Sequence, residues 1–144
     1  MLRDMLYGKI QIKDSIEDWE EVLRIASQPL LDAKNIEPRY VDSIINDVYK
    51  NGPYIVITDG VAIAHSSPKN GVIKTSISLL KVKEGVNFYQ TDKKVYLFFA
   101  FAAEDFDSHQ DSIAELATFL DNEDLLKSMI EEDLTEEEIL NLFN

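Results

Sequence analysis

Apolar residues recur along this chain with two periods, and each change of period predicts a change of secondary structure. Weak alternation at Leu6, Ile10 and Ile12 predicts a short strand over residues 5–13. Asp14 or Ser15 then caps a helix on which Trp19, Val22, Leu23 and Ala26 lie at helical spacing. Acidic residues crowd its first turns, where the helix dipole favours negative charge. Pro29 predicts a kink or an end, since proline has no N–H to donate, while Leu30, Leu31 and Ala33 predict that helical structure resumes. Pro38 suits the first position of a second helix. Tyr40, Val41, Ile44, Ile45 and Val48 form the buried stripe of that helix, and Asn51-Gly52 stops it.

The period then shortens to two. Residues 54–58 and 61–65 are short apolar runs separated by Asp59-Gly60, a strong hairpin signal. Val61, Ile63 and His65 share one face of the second run, which places the imidazole where a buried strand gives way to the polar loop 66–71. Residues 72–81 predict another strand, Lys83-Glu84-Gly85 a turn, and residues 86–89 a short edge segment. The continuous apolar run 94–102 predicts a central strand covered on both faces. A polar loop, 103–108, leads to His109. Ser108 is placed as an N-cap, with Asp111 three residues on as a near-match to a capping box. Ile113, Leu116, Ala117 and Leu120 mark an amphipathic helix that Asn122 stops. Leu125, Leu126, Met129 and Ile130 mark another, and Thr135 caps a last helix through Leu142. These elements predict an α/β fold, a single mixed β-sheet of about five strands flanked by helices on both faces, with residues 1–144 as one domain.

Composition narrows the function. The 144 residues are 45% hydrophobic, enough for a real core. The absence of cysteine excludes disulfides, thiolate metal sites and a cysteine nucleophile, and it fits a cytoplasmic protein. No apolar run reaches membrane-spanning length, and the N-terminus lacks the layout of a signal peptide. A net charge of −13 argues against nucleic acid as a partner, because phosphate backbones select basic faces. Part of that charge, residues 131–138, reads as a solvated helix face.

The chemistry rests on the only two histidines. Each follows a buried strand and borders a polar loop, so neighbouring strands would bring His65 and His109 together. A helix N-terminus at His109 would attract phosphate and disfavour an imidazolium. His65 in a half-apolar setting would be a nucleophile able to take a phosphoryl group in line. That transfer needs positioning and electrostatic stabilisation, and it requires neither metal nor cofactor. Plainer roles compete with this one. Ser66 and Ser67 read as turn residues, and Phe98, Phe99 and Phe101 as core. Asp105 and Asp107 read as loop solvation or capping, or as groups that orient His109. There is no His spacing typical of zinc sites and no G-x-S-x-G elbow.

The stretch G-P-Y-I-V-I-T-D-G-V-A-I-A-H at 52–65, with H-Q-D-S-I-A-E-L at 109–116, resembles the enzyme IIA component of the bacterial phosphoenolpyruvate-dependent sugar phosphotransferase system. The likeness is to the mannitol/fructose superfamily, nearest its ascorbate-type branch, and extends to Asp18–Glu21 and Gln28–Leu31. It implies that His65 accepts phosphate from the phosphohistidine of HPr and passes it to a cysteine of a cognate enzyme IIB, which serves a membrane enzyme IIC. It implies that His109 stabilises the phosphoryl group and that the sugar is ascorbate or a relative. The chain departs from the pattern at Ala64 and at Ser66-Ser67-Pro68, where Ser67 replaces an expected arginine. The mannitol-type arginine on the preceding helix is also missing from Val48-Tyr49-Lys50-Asn51, which leaves Lys50 or Lys69 to supply a cation. A regulatory phosphohistidine domain and a non-catalytic binding domain are the competing expectations.

Overall fold

The computed structural model describes residues 2–105 and 110–143. Elements follow in the order α1 (Leu2–Leu6), β1 (Ile10–Lys13), α2 (Trp19–Asp32), α3 (Pro38–Asn51), β2 (Val56–Thr58), β3 (Val61–Ala64), a 3-10 turn (Pro68–Asn70), β4 (Ser76–Asn87), β5 (Lys94–Ala102), α4 (Gln110–Leu120), α5 (Glu123–Glu131) and α6 (Glu136–Leu140). The strands form one five-stranded sheet in the order β1-β4-β5-β3-β2. β5 is its middle strand. It runs parallel to β3 and antiparallel to β4, while β1 is parallel to β4 and β2 antiparallel to β3. The sheet is thus mixed, as the pattern predicts.

Both faces are covered, which is why the run through β5 is apolar at nearly every position. Ala62, Ala64, Leu80, Val82, Phe98 and Ala100 pack beneath α2 and α3. Val61, Ile77, Leu79, Leu97 and Phe99 pack against α1 and the C-terminal helices. Phe98 and Phe99 are fully buried and Phe101 is half-buried.

Several local expectations need correction. Residues 5–13 are not one strand: Leu2 and Leu6, four apart and both buried, open the chain as a helical turn before β1 begins. The α2 cap is Asp18, whose side chain accepts the N–H of Glu20. Asp14 instead extends the β1 ladder, its carbonyl accepting from Glu84. Pro29 does not end α2, which runs on to Asp32. The missing donor would have served the carbonyl of Ile25, and Nε2 of Gln11 serves it at 2.7 Å. Finally, Lys83-Glu84-Gly85 is no turn. β4 runs through it as a bulge, with the pairing shifted between Lys81 and Val86 and Gly85 at φ +74°.

The remaining boundaries follow local chemistry. Pro38 occupies the first turn of α3 and Gly52 ends it. Asn122 does more than stop α4, because its side chain caps α5 through the N–H of Leu125. Thr135 and Glu138 form a reciprocal capping box for α6, which ends at Leu140 rather than Leu142.

Candidate functional site

His65 stands one residue past the end of β3 and is half-buried. β3 and β5 are parallel neighbours with Ala64 opposite Ala100, so their C-terminal ends open onto the same edge of the sheet. β3 precedes His65 and β5 is the strand before His109 in sequence. His109 itself lies outside the described residues.

The tautomer of His65 follows from its neighbours. Nδ1 lies 2.8 Å from the carbonyl oxygen of Ile63. A carbonyl only accepts, so Nδ1 carries a proton, and in the neutral ring the lone pair is on Nε2. Val61 and Ile63 belong to the core under α1, but the imidazole packs against Tyr54, which lies against the core under α2 and α3. The two rings meet edge to face, centroids 5.2 Å apart at 76°. The Tyr54 hydroxyl donates to the carbonyl of His65 itself. Burial first, then Asp47 and Tyr40, push the Tyr54 phenol upward from its ordinary pKa, so it remains a donor at neutral pH.

The peptide that follows is held from its other side. Ser66 N–H donates to the hydroxyl of Tyr40 at 3.0 Å, and that hydroxyl donates to the carbonyl of Phe101 at 2.8 Å. One phenol thus joins the loop after β3 to the end of β5. Tyr40 is buried, which pushes its pKa up to about 12.

A polar seam lies beside it. Ser66 Oγ donates to Asp47 Oδ2 at 2.8 Å. Its only proton is then used, so in the 2.9 Å pair with Ser43 it must accept. Asn70 Nδ2 donates to Ser43 Oγ at 2.8 Å and reaches Ser66 Oγ at 3.2 Å. Arg39 adds a contact from Nη1 to the carbonyl of Lys69 at 3.2 Å. On the far side, Glu104 and Thr75 exchange hydrogen bonds of 3.1 and 2.9 Å and fix the chain that leaves β5.

Reading the sequence for reactive groups overlooked this frame. Ser66 reads as a turn residue and Tyr40 as stripe, yet one organises the loop and the other ties it to β5. The available signal was positional: Tyr40, Ser43, Asp47 and Lys50 recur at helical spacing beside the apolar stripe of α3. Among the described residues no group of three or more His, Cys, Asp or Glu is arranged to hold a metal ion, and no helix is long and apolar enough to cross a membrane.

Comparison with known proteins shows the family and the fold. The family described as phosphoenolpyruvate-dependent sugar phosphotransferase system, EIIA 2, matches residues 6–144. A mannitol-specific cryptic phosphotransferase enzyme IIA component of Escherichia coli (strain K12) is 33% identical over 123 residues, 85% of this chain and 84% of the relative. An ascorbate-specific PTS system EIIA component of the same strain is 33% identical over 150 residues, 99% of this chain and 95% of the relative. The solution structure of the mannitol-specific cryptic enzyme IIA from Escherichia coli superposes with a TM-score of 0.90 at 30% identity, over 99% of this chain and 98% of that one. Enzyme IIA of mannitol from Escherichia coli, solved in complex with phosphorylated enzyme IIB, shares the fold with a TM-score of 0.79 at 23% identity, over 94% and 93% of the two chains.

Proposed function

This chain belongs to the EIIA 2 family of the phosphoenolpyruvate-dependent sugar phosphotransferase system, and from that membership we propose that it is a phosphocarrier whose phosphoryl group rides on Nε2 of His65. The observation that carries this reading is the hydrogen bond between Nδ1 of His65 and the carbonyl of Ile63. With Nδ1 engaged, Nε2 is the nitrogen left with a lone pair at the sheet edge.

The steps balance as two in-line displacements. Nε2 attacks the phosphorus of phospho-HPr while the donor's N–P bond breaks, and the donor imidazole departs with the bonding pair. The proton stays on Nδ1 and remains hydrogen-bonded to the Ile63 carbonyl, so positive charge on the phosphorylated ring is met by an oxygen dipole. The thiolate of an enzyme IIB cysteine then attacks the same phosphorus, the Nε2–P bond breaks, and Nε2 recovers its pair. His109 is proposed to stabilise the phosphoryl oxygens. Lys50 is proposed as the cation, because it continues the face of α3 that carries Ser43 and Asp47 toward the His65 loop. Enzyme IIB would be the acceptor on the cytoplasmic side of a membrane enzyme IIC. Ascorbate is the sugar expected from the sequence resemblance, and mannitol is its rival.

Incubation with enzyme I, HPr and labelled phosphoenolpyruvate tests the reading. Acid-labile, base-stable label that disappears in His65→Ala and falls in His109→Ala supports it. Label retained in His65→Ala removes the site. Adding ascorbate-type and mannitol-type enzyme IIB in parallel identifies the acceptor by which one discharges the label.

A further inference from the structure

We propose that Tyr54, with Tyr40 as its counterpart, is a positioning residue that determines which imidazole nitrogen of His65 is phosphorylated. The inference rests on the phosphocarrier reading above and extends it to regiochemistry. The two phenols grip one peptide group from opposite sides. Tyr54 donates to the C=O of His65, and Tyr40 accepts the N–H of Ser66. That peptide is the hinge between β3 and the loop, so its plane sets where the imidazole hangs.

Holding the peptide alone would not orient the ring, because a histidine side chain has several staggered rotamers. Tyr54 acts a second time here. Its ring meets the imidazole at 5.2 Å, while the Ile63 carbonyl engages Nδ1 at 2.8 Å. Ring contact and carbonyl together leave the imidazole one slot, with Nδ1 turned inward and Nε2 outward. Release of the clamp would let the ring rotate, free Nδ1 from Ile63 and make both nitrogens available as nucleophiles.

Tyr54 is itself well anchored. Its N–H donates to the Gly52 carbonyl at 2.8 Å, its ring lies against the core under α2 and α3, and the next residue, Ile55, is fully buried. Tyr40 is anchored by α3 and by its bond to Phe101. The clamp thus joins α3, the segment before β2 and the end of β5 around one peptide.

The experiment compares wild type, Tyr54→Phe and Tyr54→Leu, with folding checked by circular dichroism. Nitrogen-15 spectra report the His65 tautomer without phosphate, and phosphorus spectra after phospho-HPr report the attachment site. Wild type is expected to show Nδ1–H and a single Nε2 adduct. Tyr54→Phe keeps the ring but loses the donor, and should show a measurable share of the Nε2–H tautomer. Tyr54→Leu should show more, with Nδ1 adduct detectable. The maximal rate of phosphoryl acceptance should fall roughly tenfold or more in Tyr54→Leu, with KM for phospho-HPr little changed, because orientation rather than docking is lost. Wild-type tautomer, rate and attachment site in both variants would overturn the clamp. Failure of wild type to accept phosphate would remove the phosphocarrier reading instead, and the tautomer shift in the unphosphorylated variants would still decide the clamp.

Discussion

Ser66 donates its one hydroxyl hydrogen bond to Asp47, which leaves its oxygen only to accept, from Ser43 and from Asn70, in the seam between α3 and the His65 loop. Ser66→Ala removes the hub and leaves Asp47, Ser43 and Asn70 to find water at a half-buried site. The expected cost is about 1–2 kcal/mol, near the lower end for unsatisfied polar groups because water has access. Urea unfolding measures it. Asp47→Asn, which can still accept from Ser66, should cost less; equal losses would mean that charge rather than hydrogen bonding holds the loop.

Tyr40 predicts a weakness in alkali. Its folded pKa, about 12, lies above the ordinary phenol value of 10.0, chiefly through burial. A group with a raised folded pKa contributes stability that is fully present below the unfolded value and lost as pH rises through the folded one. The window is therefore pH 10.0 to about 12, and the stability lost across it is roughly 2–3 kcal/mol. Tyr40→Phe should flatten that part of the stability curve while lowering stability at neutral pH through the lost bonds to Ser66 and Phe101. An unchanged alkaline slope in the variant would assign the loss to other groups.

Gln11 stands in for the amide that Pro29 lacks. Gln11→Leu should cost about 1–2 kcal/mol by orphaning the Ile25 carbonyl. In a Pro29→Ala background the restored N–H can serve that carbonyl, so the same substitution should cost clearly less. A double-mutant cycle by thermal unfolding reads the difference, and strict additivity would disprove the substitution of one donor for the other.

Gly85 marks the bulge in β4. A Cβ there would sit 2.7 Å from Cε1 of Tyr96, on a backbone at φ +74°. Gly85→Ala should destabilise by about 1–3 kcal/mol through left-handed strain, with the contact adding to it. Tyr96→Ala in the same chain relieves the contact but not the strain, so calorimetry on the pair separates the two causes.

How much of this was legible beforehand varies by element. The stripes of α2 and α3 and the run through β5 repeat often enough to override local ambiguity, so their type and burial were readable. The hairpin at Asp59-Gly60 was readable because turn chemistry is local. The β4 bulge was misread because a Lys-Glu-Gly triplet suits a turn, and only pairing with β5 carries the strand through it. The continuation of α2 past Pro29 shows in Leu30 and Leu31, but the compensating donor does not, because it lies on a different element, in β1.

The sequence by itself determined the alternation of elements, the two-sided sheet and His65 as the reactive candidate, since these depend on period, turn residues and side-chain chemistry within short windows. Only the tertiary structure decided that β3 and β5 lie parallel side by side, that Ile63 directs the lone pair to Nε2, and that Tyr40 and Tyr54 hold one peptide between them. Those relationships join residues as far apart as Tyr40 and Phe101. No local pattern encodes such contacts; they exist once packing of both faces has brought the strand ends together.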